Sequence, residues 1–279
     1  FMTDTPGTIA LVGAAGRMGQ AITRLVQQRE DLRIAAAVEG VGSTAIGKDL
    51  GDLAGVGPLA VPIGDNLESA LQHADVALDL SVAKATATVI DAAVATATPL
   101  VCGTTGLNDG ILAAFDAAAT RIPVLYTPNL SPGIAVLSSL VEQAAAALGR
   151  DYDIEIVEMH HRHKVDAPSG TALALAEAAA RGAELDLPKA LQVSRAGQVG
   201  ERPVSEIGVH AVRGGGVFGD HTVILAGEHE RLELSHMASS RSLFAQGALR
   251  AAAFLRDQAP GRYTMADVLQ IGPLAAKAR

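Results

Sequence analysis

Short aliphatic runs alternate with longer, Ala-rich stretches of helical period along the first half of the chain. Thr8-Ile9-Ala10-Leu11-Val12 is apolar and stops at Gly13, the pattern of a strand buried on both faces. A helical pattern follows through Gln28, with Ile22, Leu25 and Val26 on one side, and Ile34–Glu39 reads as a second strand ending in an acid. Further strands are predicted at Val76–Leu80, Leu100–Cys102 and Val124–Tyr126, with helices at about Ala85–Ala97, Asp109–Ala119 and Gly133–Leu148. Such alternation predicts a parallel sheet covered by helices on both faces.

The pattern changes after about residue 150. Asp153–Met159 reads as a strand and Thr171–Glu184 as a helix. Ile207–Val212 and the pair Thr222–Ala226 and Leu232–His236 read as an antiparallel arrangement, the pair turning through Gly227–Arg231. A last helix is predicted at about Ser240–Arg256. The expected fold class is α/β: a parallel-sheet domain over residues 1–130, an α+β domain with a mixed sheet over 131–240, and a segment, 241–279, that returns to the first domain.

Composition narrows the function classes. Hydrophobic residues make up 49% and charged residues 19% of 279, a globular balance. A net charge of -8 argues against a nucleic-acid partner, which needs a broad basic surface. One cysteine, Cys102, rules out an internal disulfide and suits a reducing compartment; its place in a strand-like run predicts a buried, inert thiol. No basic segment followed by an apolar core marks a secretory signal, and Phe1 ahead of Met2 reads as an added residue. The longest apolar stretches are interrupted by Asp91 or Glu142 before reaching spanning length. A soluble, cytoplasmic protein with no membrane partner is expected.

Candidate chemistry enters first at Gly13-x-x-Gly16-x-x-Gly19. Glycine at such a turn lets the backbone approach a pyrophosphate, and the helix start supplies N–H donors. The pattern follows a strand, opens a helix, and precedes Glu39 by 20 residues counted from Gly19, where a carboxylate can accept from ribose hydroxyls. It predicts a nicotinamide dinucleotide, NADH or NADPH. Glu39 would repel a 2′-phosphate and Gly40 offers no cation to pair one, so NADH is favoured; Arg17 is the nearby cation. Gly103-Thr104-Thr105-Gly106 and Thr127-Pro128-Asn129-Leu130-Ser131 end later strands, where a cofactor or a plain turn would each be at home.

The second candidate is His160-His161-Arg162-His163-Lys164, with no carboxylate between Glu158 and Asp166. Clustered cations repel one another, so a small anionic ligand is the expected partner. Pro168-Ser169-Gly170-Thr171 reads as a loop opening a helix, whose free N–H groups favour an anion. Zinc is a weaker alternative, because His160 and His161 are adjacent and would point to opposite sides of a strand; no metal is expected. His210, His221, His229 and His236 are expected to be surface or interface histidines.

These motifs, in this order, together with Arg213-Gly214-Gly215, Gly219-Asp220-His221-Thr222 and Ser235-His236-Met237-Ala238-Ser239-Ser240-Arg241, resemble the 4-hydroxy-tetrahydrodipicolinate (dihydrodipicolinate) reductase family of lysine biosynthesis. The resemblance spans nearly the whole chain, and its basic segment is its most specific part. It implies a Rossmann-type dinucleotide domain, a substrate domain whose sheets assemble a homotetramer, and a nicotinamide-dependent reduction of a small dicarboxylate. It further implies His160 as proton donor and Lys164 as partner of a substrate carboxylate. His161 and the backbone of Gly170 and Thr171 would bind the carboxylates. Gly13, Gly16, Arg17, Met18, Gly19, Glu39, Gly103, Thr105 and Asn129 would line the cofactor site.

Two departures stand out: Gly40, where NADPH-using relatives carry a basic residue, and Asp79-Leu80-Ser81-Val82-Ala83, where the family more usually has Asp-Phe-Thr-x-Pro. Competing readings are a dinucleotide-binding redox sensor, which would need no proton donor, and an amino-acid dehydrogenase acting on a dicarboxylic substrate.

Overall fold

The computed structural model describes residues 5–272; Phe1 and Met2, and residues 273–279 of the C-terminal segment, lie outside the described residues. The chain forms two compact units, one reaching to Ser131 and resuming over Ser242–Gln270, the other spanning Pro132–Arg241.

The first unit opens with β1 (Gly7–Val12), α1 (Arg17–Val26) and β2 (Leu32–Val38). Three short elements follow that the sequence pattern did not announce: α2 (Leu50–Ala54), β3 (Ile63–Gly64) and α3 (Leu67–Leu71). Their signals are caps rather than periodicity. The Asp49 side chain accepts from the Gly51 and Asp52 N–H groups, and Asn66 accepts from Ser69. The unit continues through β4 (Val76–Asp79), α4 (Ala83–Thr96), β5 (Leu100–Cys102), α5 (Asp109–Ala119) and β6 (Pro123–Tyr126).

The second unit comprises α6 (Pro132–Leu148), a 3₁₀ turn, β7 (Asp153–His160), α7 (Gly170–Gly182), α8 (Leu187–Ala190), β8 (Leu191–Val193), β9 (Ile207–Arg213), β10 (Asp220–Ala226) and β11 (Arg231–Met237). The chain then returns to the first unit with α9 (Ser242–Leu255), β12 (Gly261–Tyr263) and α10 (Met265–Leu269), β12 pairing with β6.

The first sheet runs β12-β6-β5-β4-β1-β2-β3, and every pairing is parallel. The chain moves outward through β2 and β3, then crosses to the other side of β1 to place β4. The carboxyl ends of β1 and β4 therefore form the topological switch point, where α/β sheets bind ligands. Strands buried on both faces account for the unbroken Ile9-Ala10-Leu11 and Val76-Ala77-Leu78 runs, each 0% exposed. Cys102 is buried, and its thiol donates to Asp79 Oδ2 at 3.4 Å. Burial, with the neighbouring Asp79 charge, pushes that thiol far up, so it is inert.

The second sheet, β11-β10-β7-β9-β8, is mixed. Here the structure corrects the sequence: β9 lies parallel to β7 and β8, and only the β7–β10 and β10–β11 pairs are antiparallel. Parallel pairing requires a long crossover, and the chain from α7 through α8 supplies one between β7 and the edge. Ile154, Ile156, Val209, Val223 and Leu225 face α6 and α7 in one hydrophobic cluster. With its terminal turn, Pro132–Asp151, α6 is long and apolar enough to cross a membrane by length and composition, so Glu142 does not break the stretch as expected. Its Ile134, Leu137, Val141 and Ala145 nevertheless form one buried stripe in the cluster under the sheet, while Val136 and Leu140 on the same helix are exposed.

Candidate active site

At the switch point, β1 gives way to Gly13, whose φ of +78° suits glycine alone. A Cβ there would also fall 2.8 Å from the Leu80 carbonyl oxygen at the end of β4. Gly16 caps α1 with no side chain over the helix start. Gly19 lies against its own loop, where a Cβ would come within 2.3 Å of the Ala14 carbonyl oxygen. The three glycines thus serve the turn, the open helix start and close helix packing in that order.

Glu39, just beyond β2, is tied to this loop: its Oε1 accepts from the Ala15 N–H at 2.7 Å. The carboxylate is therefore oriented before any ligand arrives, with its second oxygen left as an acceptor. A cavity of about 620 Å³ opens beside it, lined by Gly13, Ala15, Gly16, Glu39 and Gly40 together with Asp65 and Lys84. Of the predicted cofactor residues, Gly13, Gly16 and Glu39 reach this cavity. Arg17, Met18 and Gly19 belong to the first turn of α1 and are not part of its wall. Lys84, at the start of α4, is a cation that sequence reasoning missed, because nothing in the linear pattern brings α4 to the Gly-rich turn.

The remaining cofactor candidates sit at other strand ends. Gly103 follows β5 and packs against Leu130 and Leu80, while Thr105 is exposed. Asn129 builds a turn, its Oδ1 accepting from the Ser131 N–H at 2.9 Å. The cavity and the glycine turn fit the adenosine half of a dinucleotide: an apolar wall, an oriented carboxylate and a helix start without a side-chain cap.

In the second unit, alternation along β7 places Ile154, Ile156, Glu158 and His160 on the covered face. Glu158 is wholly buried, and its oxygens accept from Arg213 at 2.7 and 2.8 Å, from the Ser169 N–H at 3.0 Å and from His160 Nδ1 at 2.6 Å. Burial opposes its ionisation, but the Arg213, His160 and Ser169 hydrogen bonds outweigh it and hold Glu158 below the usual carboxylate range.

Ser169 ends the basic loop as the N-cap of α7: its Oγ accepts from the Ala172 N–H at 3.1 Å and meets His221 Nε2 at 3.1 Å. The helix begins at Gly170, one residue before the sequence signal, so Gly170 and Thr171 form its first turn. His221 corrects the expectation of a surface histidine. It is 4% exposed, packs edge-on to His160 with ring centroids 5.2 Å apart, and burial together with the His160 charge pushes it down to about 4.

A second correction concerns the missing carboxylates. Lys164 Nζ is held by both oxygens of Asp166 at 2.8 Å, and His160 by Glu158. The carboxylates that flank the basic run in sequence fold back onto it. His161 is half-buried beside His163, and its pKa is lowered by burial, Arg241 and His163. Among the described residues, no group of three or more His, Cys, Asp or Glu side chains is arranged to hold a metal.

The comparison with known proteins decides the family. Residues 8–130 match the family described as Dihydrodipicolinate reductase, N-terminus, and residues 133–269 match Dihydrodipicolinate reductase, C-terminus. The chain belongs to the dihydrodipicolinate reductase family.

As a dihydrodipicolinate reductase family member it is an oxidoreductase with a Rossmann-type domain and a nicotinamide cofactor. It is 49% identical over 261 residues to the 4-hydroxy-tetrahydrodipicolinate reductase of Alkalilimnicola ehrlichii, covering 94% of this chain and 98% of that protein. It is 50% identical over 269 residues to the 4-hydroxy-tetrahydrodipicolinate reductase of Rhizobium rhizogenes, covering 96% and 98%. A dipicolinate-bound dihydrodipicolinate reductase from a Paenisporosarcina species shares the fold, with a TM-score of 0.71 at 24% identity over 93% of this chain and 97% of that one.

Proposed function

We propose that this dihydrodipicolinate reductase family member reduces 4-hydroxy-tetrahydrodipicolinate to tetrahydrodipicolinate in lysine biosynthesis. A bound nicotinamide supplies the hydride; overall the substrate takes up a hydride and a proton and loses water. The observation that carries the reading is His160: a buried imidazole hydrogen-bonded through Nδ1 to the buried Glu158 carboxylate, beside a capped helix start. A hydride delivered to a conjugated ring imine leaves electron density on the neighbouring carbon, and His160 donates the proton that carbon needs. Lys164 exchanges Asp166, which is exposed, for one substrate carboxylate. His161 and the N–H groups of Gly170 and Thr171 receive the dicarboxylate, and these fixed dipoles offset the charge that develops during reduction.

On the cofactor side, Gly13, Gly16, Arg17, Met18, Gly19, Glu39, Gly103, Thr105 and Asn129 are assigned to dinucleotide binding. Glu39 accepts from the ribose hydroxyls and favours NADH. Gly40 itself brings no cation beside Glu39, and Lys84 in the same cavity wall is the group that opposes this preference by pairing with a 2′-phosphate.

A homotetramer is supported by the second sheet. Its uncovered face carries Val157, Met159, Val212, Ile224 and Met237, the last 73% exposed. A cytoplasmic site of action fits the single buried cysteine.

The test is turnover with NADH and NADPH on substrate made in place by a synthase from pyruvate and aspartate semialdehyde. Oxidation of either cofactor, dependent on synthase, supports the reading. Folded protein that binds cofactor and stays silent with both overturns it in favour of a redox sensor.

A further inference from the structure

Arg213-Gly214-Gly215 ends β9 and leads out of it, and it has no part in the chemistry described so far, yet it grips the end of β7 at several points. Arg213 holds Glu158 through both terminal nitrogens and donates to the Asp166 carbonyl at 2.7 Å. The Gly214 N–H donates to the His160 carbonyl at 2.9 Å, and the Arg162 N–H donates to the Gly215 carbonyl at 3.3 Å. One segment therefore fixes the backbone of His160, the residue that orients its ring, and the loop that carries Lys164.

The hydrogen bond to Glu158 settles the tautomer. An ionised carboxylate accepts and does not donate, so at the 2.6 Å contact it is His160 Nδ1 that carries hydrogen. The nitrogen left for chemistry is Nε2. Directly against Nε2 lies Gly219, with φ of +152°, where a Cβ would stand 2.9 Å from that atom. The loop that enters β10 thus passes the ring without a side chain.

We infer that Glu158, clamped by Arg213 and the Ser169 N–H, is the positioning residue of His160, holding hydrogen on Nδ1 so that the acid proton leaves from Nε2, the nitrogen against which Gly219 places no side chain. The inference rests on the reading of His160 as proton donor. The balance is simple. The imidazolium gives its Nε2 proton to the substrate carbon and becomes the neutral Nδ1–H imidazole, still bonded to Glu158. Solvent returns the proton to Nε2. In Glu158→Gln, the Arg213 fork retains the amide oxygen and turns the amide NH₂ toward Nδ1, which then accepts instead of donating. The neutral Nε2–H form is favoured over the imidazolium, and giving up its one proton would leave an imidazolate, so delivery from Nε2 is lost.

The experiment combines ¹⁵N NMR of histidine-labelled protein with steady-state kinetics. Wild-type protein is expected to show neutral His160 as the Nδ1–H form, assigned by its absence in His160→Gln. Glu158→Gln is expected to shift His160 to the Nε2–H form and to lower kcat by about 10²-fold or more, with KM changed little. Glu158→Asp, which restores a carboxylate, is expected to recover part of kcat and the Nδ1–H form. A wild-type spectrum with hydrogen on Nε2 alone overturns the inference without any variant, so misfolding of Glu158→Gln does not shield it. Glu158→Gln with wild-type kcat beside an inactive His160→Gln overturns it while leaving the donor reading intact. A fully active His160→Gln overturns the donor reading, and the tautomer measurement still decides what Glu158 does.

Discussion

His221 Nε2 lies 3.1 Å from Ser169 Oγ, with both residues buried at the first turn of α7. A histidine there is kept neutral. Burial is the largest cause and the nearby His160 charge adds to it, together pushing His221 down to about 4. The unfolded chain takes up this proton near the ordinary histidine value of about 6.5, while the fold does not. The contribution of His221 to stability is therefore full above pH 6.5 and falls as pH drops toward 4, by on the order of 3 kcal/mol. His236, lowered mainly by burial, acts with the same sign. Urea unfolding at pH 7.5 and pH 4.5 should show His221→Gln losing clearly less stability between the two than wild type. Equal losses would show that His221 is not the group responsible.

Gly219 provides a steric test of the same site. Gly219→Ala places a Cβ 2.9 Å from His160 Nε2 at a φ that L side chains rarely adopt. We expect kcat to fall about 10-fold or more while cofactor affinity in the first unit is unchanged. Wild-type kcat in a folded Gly219→Ala protein would show that the Nε2 face is not used.

Cofactor choice turns on Gly40. A Cβ at this position meets nothing within 4 Å, so a long side chain can be accommodated beside the cavity. Gly40→Arg should raise kcat/KM with NADPH about 10-fold, the worth of one charge-assisted hydrogen bond to a 2′-phosphate. No gain with NADPH, in a variant whose NADH activity is retained, would indicate that the 2′ position is read elsewhere, with Lys84 the first residue to replace.

Gly19 is held to glycine by packing alone, since it lies inside α1. Gly19→Ala drives a Cβ to 2.3 Å from the Ala14 carbonyl oxygen, so the helix and its loop must separate. Thermal unfolding should show a loss of about 1–3 kcal/mol, with weaker cofactor binding. A stability equal to wild type would mean the loop adjusts freely.

The long elements were legible in the sequence because period decides them. Asp109–Ala119 and Leu100–Cys102 agree residue for residue, and α1, α4 and α6 differ only at their ends. What failed was information not carried locally. The direction of β9 depends on its partner β7, some fifty residues earlier, and no feature of Ile207–Arg213 states it. The short elements between Gly40 and Asp75 are fixed by Asp49 and Asn66 caps, which a search for apolar period passes over.

The same distinction holds at the site. His160, Lys164 and the Ser169 cap announce themselves as a contiguous motif. His221, Arg213 and Gly219 arrive from β9, β10 and their connection, and only the fold brings them to His160. The pairing of Lys164 with Asp166 is local, and the flanking acid was visible. What the sequence reading missed is that a two-residue reach lets Asp166 hold Lys164 in the absence of a ligand.

The central claim is that His160 supplies the proton. The most direct measurement is kcat of His160→Gln set against its affinity for cofactor, measured on the same folded protein. The account predicts a loss of about 10²–10⁴-fold in kcat, the usual worth of a positioned acid, with cofactor affinity equal to wild type. A His160→Gln protein that turns over near the wild-type rate would contradict it.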